Sequence, residues 1–211
     1  MGYAVLDTET TGFSAQDRVI EIGVVLLGPD LAVEGTWDTL LNPGRSVGPT
    51  HVHHITADDV AAAPGFAAAA GPLVAQLAGR VLVGHNLNFD RRMLNQEFRR
   101  LGAGDPLGAD FSLDTLALAR HLDLSPSRCY TLDYLCDVHG IQRALAHAAL
   151  HDARATAALF TLAAGKLARR LEERSAGTLE ELWADCHAAA AAARWPAFPA
   201  TGFRPVRRSG D

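Results

Sequence analysis

Lysine is nearly missing from this chain. Lys166 is the single one among 211 residues, and arginine carries almost all the positive charge. The formal net charge of −5 excludes a protein that coats nucleic acid through bulk electrostatics, though not one with a local phosphate site. Cysteine is scarce too: Cys129, Cys136 and Cys186 are odd in number and form no C-x-x-C pair. A disulfide framework is therefore excluded, and free thiols in a reducing compartment are expected. The most apolar stretches, around 144–165 and 188–195, are broken by charges or too short to span a bilayer. No internal repeat is found, and the first strand begins almost at once, so no signal peptide is expected. A cytoplasmic chain with one domain and some extras fits this length.

What is present begins with Tyr3-Ala-Val-Leu-Asp-Thr-Glu-Thr-Thr-Gly12. The run from Tyr3 to Leu6 reads as a buried strand with Asp7 and Glu9 at its end. Side chains two apart in a strand share a face, so both carboxylates point the same way. Their mutual repulsion is relieved by a hard divalent cation such as Mg²⁺ or Mn²⁺. Residues 18–27 and 32–41 read as two more strands, joined by turns short enough for an antiparallel meander.

Thr56 is placed to cap a short helix, and a helix is expected over 66–78. Val81-Leu-Val-Gly84 has the pattern of a strand buried on both faces. A helix over 88–101 follows, with Leu94, Phe98 and Leu101 on its apolar face. A short strand near 111–114, helices over 114–122 and 131–139, and a long helix over 149–174 complete the pattern. Gly165 is expected to weaken that last helix. Thr178-Leu-Glu-Glu181 has capping-box spacing for a further helix to about Arg194. Residues 195–211, rich in proline and arginine, read as a weakly ordered basic tail that touches nucleic acid or is simply solvated. The pattern is a mixed α/β sheet covered by helices.

Two further acidic sites lie where strands or loops give way to helices. Asp90, in Gly84-His-Asn-Leu-Asn-Phe-Asp90, falls in the first turn of a helix, where ligand sites of α/β sheets gather. His147-Ala-Ala-Leu-His-Asp152 opens the long helix. Five helical residues would separate His147 and Asp152 by roughly 140°, so they converge only if His147 lies in the preceding loop. There it suits a general base. The rival reading pairs His147 with His151 as zinc ligands, without a third ligand or a thiol nearby.

Together, Asp7-Thr-Glu9, His85-Asn-x-x-Phe-Asp90 and His147-x4-Asp152 resemble the three motifs of the DEDDh 3′-to-5′ exonucleases. That family includes the proofreading epsilon subunit of DNA polymerase III, ribonuclease T and oligoribonuclease. The resemblance covers about residues 3–165; the tyrosine subclass would need Tyr where Ala148 stands. It implies a ribonuclease H-like fold: a five-stranded mixed sheet, its first three strands antiparallel, flanked by helices. The implied domains are 1–174 for the exonuclease and 175–211 for a helical extension and tail.

The resemblance further implies that Asp7, Glu9, Asp90 and Asp152 hold two divalent cations, Mg²⁺ or Mn²⁺, with Asp7 bridging and His147 deprotonating the attacking water. Thr10, Thr11, Gly12 and Phe13 would meet the terminal nucleotide, joined by His53 and with Asn86 as a substrate contact. His54 stands where the family has glycine. Asp114 and Asp133 are assigned to structure, and His85 to orienting the Asp90 loop. The expected function is release of nucleoside 5′-monophosphates from single-stranded DNA 3′ ends, alone or in proofreading and repair. An exoribonuclease, a short-oligonucleotide nuclease and a catalytically silent nucleic-acid-binding module are the alternatives. A homodimer or association with a polymerase stays open.

Overall fold

The computed structural model describes residues 1–144, 147–199 and 202–208. Its strands are β1 (Tyr3–Thr10), β2 (Val19–Leu27), β3 (Val33–Leu40), β4 (Val81–Gly84) and β5 (Ser112–Asp114). They form one five-stranded sheet in the order β3-β2-β1-β4-β5. β1, β2 and β3 pair antiparallel, as their short turns dictate, while β4 lies parallel to β1 and β5 parallel to β4. The mixed sheet flanked by helices is the ribonuclease H-like architecture.

The helices are α1 (Thr50–His53), α2 (Ala57–Ala61), α3 (Phe66–Leu77), α4 (Leu87–Arg100), α5 (Thr115–His121), α6 (Leu132–His139), α7 (Ala149–Glu173), α8 (Leu179–Leu182) and α9 (Ala184–Ala192). Thr56 and Asp59 close a capping box on α2, and Thr178 and Glu181 close another on α8. Asp114 caps α5, accepting from the Leu116 amide, so it has the structural role expected of it. No described helix is long and apolar enough to cross a membrane.

α7 packs across β1 and β2 and carries most of one face of the core, with Phe160 fully buried against Tyr3. α4 contributes Leu94 and Phe98 to the core. Leu101, expected on that same face, is 39% exposed because α4 ends at Arg100 and the chain turns away. Gly165 does not interrupt α7, whose other contacts outweigh a propensity cost of about 1 kcal/mol.

Two further expectations change. The helix starting at Thr178 breaks at Trp183, whose ring stacks on Phe160 at 5.5 Å. The described residues of the tail, 195–199 and 202–208, are packed, not loose. Phe198 lies 5.8 Å from Phe98, Trp195 lies 6.1 Å from Phe111, and Phe203 stacks on Trp37 at 6.1 Å. Its aromatic residues, more than its arginines, determine where it runs.

Candidate active site

Asp7 and Glu9 lie within β1, which runs on to Thr10. Thr8 and Thr10 alternate with them and are buried on the opposite face. The Thr8 hydroxyl donates to Asp90 Oδ1 at 2.7 Å, linking β1 to the first turn of α4. Asn86 takes the left-handed conformation before that helix (φ 66°), with its amide held by Asp114. The His85 ring bridges Thr115 Oγ1 and the Tyr130 carbonyl, and so orients the loop that delivers Asp90.

Asp152 arrives from the other side, in the first turn of α7. The approach depends on Gly23 of β2, directly opposite Asp7. A Cβ at Gly23 would lie 2.3 Å from the Ala149 carbonyl carbon and the Leu150 nitrogen, so any side chain there would push α7 off the sheet. Glycine inside a strand marks such a close approach.

His147 sits in the turn just before α7, off the helix, with a left-handed backbone (φ 57°). Its amide donates to Asp152 Oδ2 at 3.3 Å. Ligand atoms of Glu9, His147 and Asp152 all lie within 4.8 Å of one another. Among the described residues, His147 therefore clusters with two carboxylates.

The electrostatics of this cluster are one-sided. Burial pushes the Asp7 carboxyl well above the usual carboxylate range, and Asp90, Asp152, Glu9 and Glu21 push it further. Glu9 is raised to about 8, by burial first and then by Glu21 and Asp152, with Arg208 opposing. Burial raises Asp90 to about 7, despite the Thr8 hydrogen bond that favours its ionised form. Closely set hard oxygen donors short of positive charge suit a divalent cation, so the donor set fits Mg²⁺ or Mn²⁺.

Two arginines partly offset the charge. Arg143 grips Asp152 and Asp133 together, so Asp133 serves a structural ion pair. Arg208 pairs with Glu21, which faces Glu9 across the β1–β2 ladder. Sequence reasoning missed Glu21, although a lone glutamate within Val19-Ile-Glu-Ile22 is the mark of a buried ion pair.

The expected substrate contacts divide. Phe13 is 77% exposed and lies 5.7 Å from Phe89, and Arg92 stacks over the Phe89 ring while donating to the Phe13 carbonyl. Asn86 lines a cleft of ≈ 520 Å³ that runs from Asp7, His147 and Asp152 to Arg120 and Arg128. The hydroxyls of Thr10 and Thr11 are instead committed inside the turn, to the Gly12 carbonyl and to Asp17. Gly12 abuts that same Asp17 carboxylate. His53 is buried, with Nε2 on the Val47 carbonyl and Nδ1 accepting from the Ile55 amide. It braces its loop. Burial lowers its pKa below the ordinary histidine value.

A cleft of carboxylates at the carboxyl end of a ribonuclease H-like sheet defines a class of metal-dependent phosphodiester hydrolases. Residues 4–160 match the family described as Exonuclease. The chain is 35% identical over 165 residues to the DNA polymerase III subunit epsilon of Treponema pallidum, covering 76% of this chain and 75% of that one. The chain belongs to this family, the DnaQ-like 3′-to-5′ exonucleases. It spans only 12% of the PolC-type DNA polymerase III relatives that it also matches. Among solved structures, E. coli exonuclease I in complex with a dT13 oligonucleotide shares the fold, with a TM-score of 0.71 at 20% identity. That match covers 82% of this chain and 43% of the other. Exonuclease X in complex with 5′ overhanging duplex DNA aligns with a TM-score of 0.61 at 25% identity, over 88% of this chain and 99% of that one.

Proposed function

We propose that this exonuclease removes nucleotides from the 3′ ends of single-stranded DNA and releases nucleoside 5′-monophosphates. Asp7, Glu9, Asp90 and Asp152 would hold two divalent cations, Mg²⁺ or Mn²⁺. Such a pair, when bound, favours attack of water on the phosphodiester and steadies the departing 3′ oxygen. His147 takes the proton from the attacking water; a ring nitrogen lies within 4.8 Å of a carboxylate oxygen of Glu9 and of Asp152. Asp7, in the middle of the acidic set, couples all the other ligands and is the least replaceable.

The observation that carries the reading is the charge imbalance of the cluster, three of whose carboxyls are held far above their ordinary pKa. A fold has no structural use for that repulsion, whereas cation binding relieves it. Phe13 offers the terminal base an exposed aromatic surface, which suits ends of any sequence. Arg120 and Arg128 at the far end of the cleft suit the phosphates of the following nucleotides. Two polymerase-linked relatives and a neighbour solved with dT13 favour DNA over RNA, and proofreading or repair beside a polymerase as the setting.

The test is degradation of 3′-labelled and 5′-labelled DNA and RNA oligomers with Mg²⁺, Mn²⁺ or EDTA. Stepwise loss from the 3′ end of DNA, abolished by EDTA, is expected. Faster loss of RNA or dinucleotides would move the substrate to the alternative class, and no degradation with either metal would leave a binding module.

A further inference from the structure

The chain's last described residues, 202–208, lie beyond the stretch that matches the exonuclease family, yet they reach the catalytic cleft. They are carried there by docking along the edge strand β3. Phe203 stacks on Trp37. The Val206 carbonyl accepts from the Leu40 amide at 2.6 Å, and the Val206 amide donates to Thr39 Oγ1 at 3.2 Å. Arg207 pairs with Asp38 at 3.1 Å. The position of the next residue follows from these contacts.

Arg208 extends its guanidinium over the end of β2. Nε and Nη2 donate to the two oxygens of Glu21, each at 2.7 Å. Nη1 donates to the His53 carbonyl at 2.9 Å, and Nη2 also donates to the His147 carbonyl at 2.9 Å. Glu21 in turn accepts from the Ala149 amide at 2.8 Å. One planar fork thus joins the last residue of α1, the strand β2 and the turn that carries His147.

That turn is under backbone strain. His147 takes φ 57°, a conformation that non-glycine residues adopt only when their surroundings enforce it. Its amide is tied to Asp152 and its carbonyl to Arg208. These two ties fix the peptide planes on either side of the residue and so aim the ring at Glu9 and Asp152. We propose that Arg208 is a positioning residue for the reaction: through it, the C-terminal tail completes the active site by clamping the His147 turn. The inference rests on the functional reading of His147 given above. A guanidinium suits the task and an ammonium does not, because the fork must reach a carboxylate and two carbonyls at fixed angles.

The experiment compares the full chain with Arg208→Gln, Arg208→Lys and a chain ending at Gly202. Steady-state kinetics are measured on a single-stranded oligonucleotide, and backbone hydrogen exchange is measured in EDTA. Arg208→Gln and the truncation should lower kcat by about tenfold to a hundredfold, with KM changed less than about threefold, as expected for lost orientation. Amides of His147 to Leu150 should exchange at least about tenfold faster in both, while β4 stays protected. Arg208→Lys should restore less than half of kcat. Should Arg208→Gln fail to fold, Glu21→Gln/Arg208→Met removes both charges together and should show the same kinetic loss. Unchanged kcat and exchange after truncation, a raised kcat, or full rescue by lysine would overturn the proposal. A wild-type chain without nuclease activity would overturn the functional reading instead, and the exchange result would still decide whether Arg208 clamps the turn.

Discussion

Two acidic centres lie within this sheet and its helices, and they are treated in opposite ways. Glu97 on α4 is almost fully buried and matched from every side. Arg18 donates to both its oxygens at 2.7 and 2.9 Å, the Val19 amide adds a bond at 3.1 Å, and Arg100 lies 3.3 Å away. At the other centre Asp7, Glu9 and Asp90 face one another, and the nearby arginines are bound to Asp152 and Glu21 instead. Asp90 is nearly as buried as Glu97, so burial alone does not explain the difference. The fold can neutralise a buried carboxylate when structure alone requires it. Leaving three of them under-compensated in one cleft is therefore a feature reserved for a cation.

The widest separation between the centres should appear on removing one carboxylate from each. Asp7→Ala should reduce cleavage to background, a loss approaching the whole rate enhancement, about 10⁶-fold at the low end of enzymes. Its metal-free form should be as stable as the parent or more so, because a source of repulsion is gone. Glu97→Ala should do the reverse. The folded fraction should keep its nuclease activity, while urea unfolding shows a loss of about 3–5 kcal/mol from stranding Arg18. If both substitutions destabilise alike, the distinction between the centres collapses.

Within the cleft the next largest effect belongs to the group that moves a proton. His147→Ala should cost about 10²–10⁴-fold in kcat with little change in metal affinity. His151→Ala should alter either quantity only modestly, since it points roughly 100° away from Asp152 around the helix. A reversed ranking, or loss of bound zinc from either variant, would reinstate the paired-histidine reading.

How much of this was legible in the sequence depended on the range of the interactions. β1, β2 and β4 were readable because runs such as Val81-Leu-Val-Gly84 record burial locally, and the caps at Thr56 and Thr178 lie within three residues of their partners. Asp7, Glu9, Asp90 and Asp152 stood out as acids at element junctions. The Trp183 break was not readable, because its ring packs on Phe160, which belongs to another helix. The tail misled for the same reason: Phe203 and Val206 find their partners on β3, far back in the chain, as the Thr39 contact shows with a separation of 167. The local acceptors of the Thr10 and Thr11 hydroxyls, the Gly12 carbonyl and Asp17, were not readable from motif position.

The metal-free protein should also show the imbalance in its stability against pH. Glu9 moves from an ordinary 4.5 to about 8 in the fold, and Asp90 from 3.8 to about 7. A carboxyl with a raised folded pKa keeps a proton that the unfolded chain has released. Stability is then highest below the unfolded values, falls as pH rises from about 4 to about 8, and levels off beyond. Unfolding free energies from urea titrations in EDTA should be higher at pH 5 than at pH 8 by several kcal/mol, since each tenfold change in proton affinity is worth about 1.4 kcal/mol. Saturating Mn²⁺ should reverse the trend, because protons and cations compete for the same oxygens. A flat profile in EDTA would mean that the acids are compensated after all.

The smallest effect probes a cation that already holds a proposed metal ligand. Arg143 is held between Asp152 and Asp133, so a divalent ion approaching Asp152 must either displace the guanidinium or accept its repulsion. Both costs vanish in Arg143→Gln, which keeps a polar end on a shorter side chain. Mn²⁺ affinity, measured by calorimetry without nucleic acid, should tighten by about tenfold, the factor that corresponds to about 1.4 kcal/mol. The metal-free protein should lose stability in the same variant, since Asp152 then joins the uncompensated set. These opposite signs are what competition requires. If affinity instead weakens, Arg143 aligns Asp152 for the cation, and the acidic cleft is more closely balanced than the comparison with Glu97 implies.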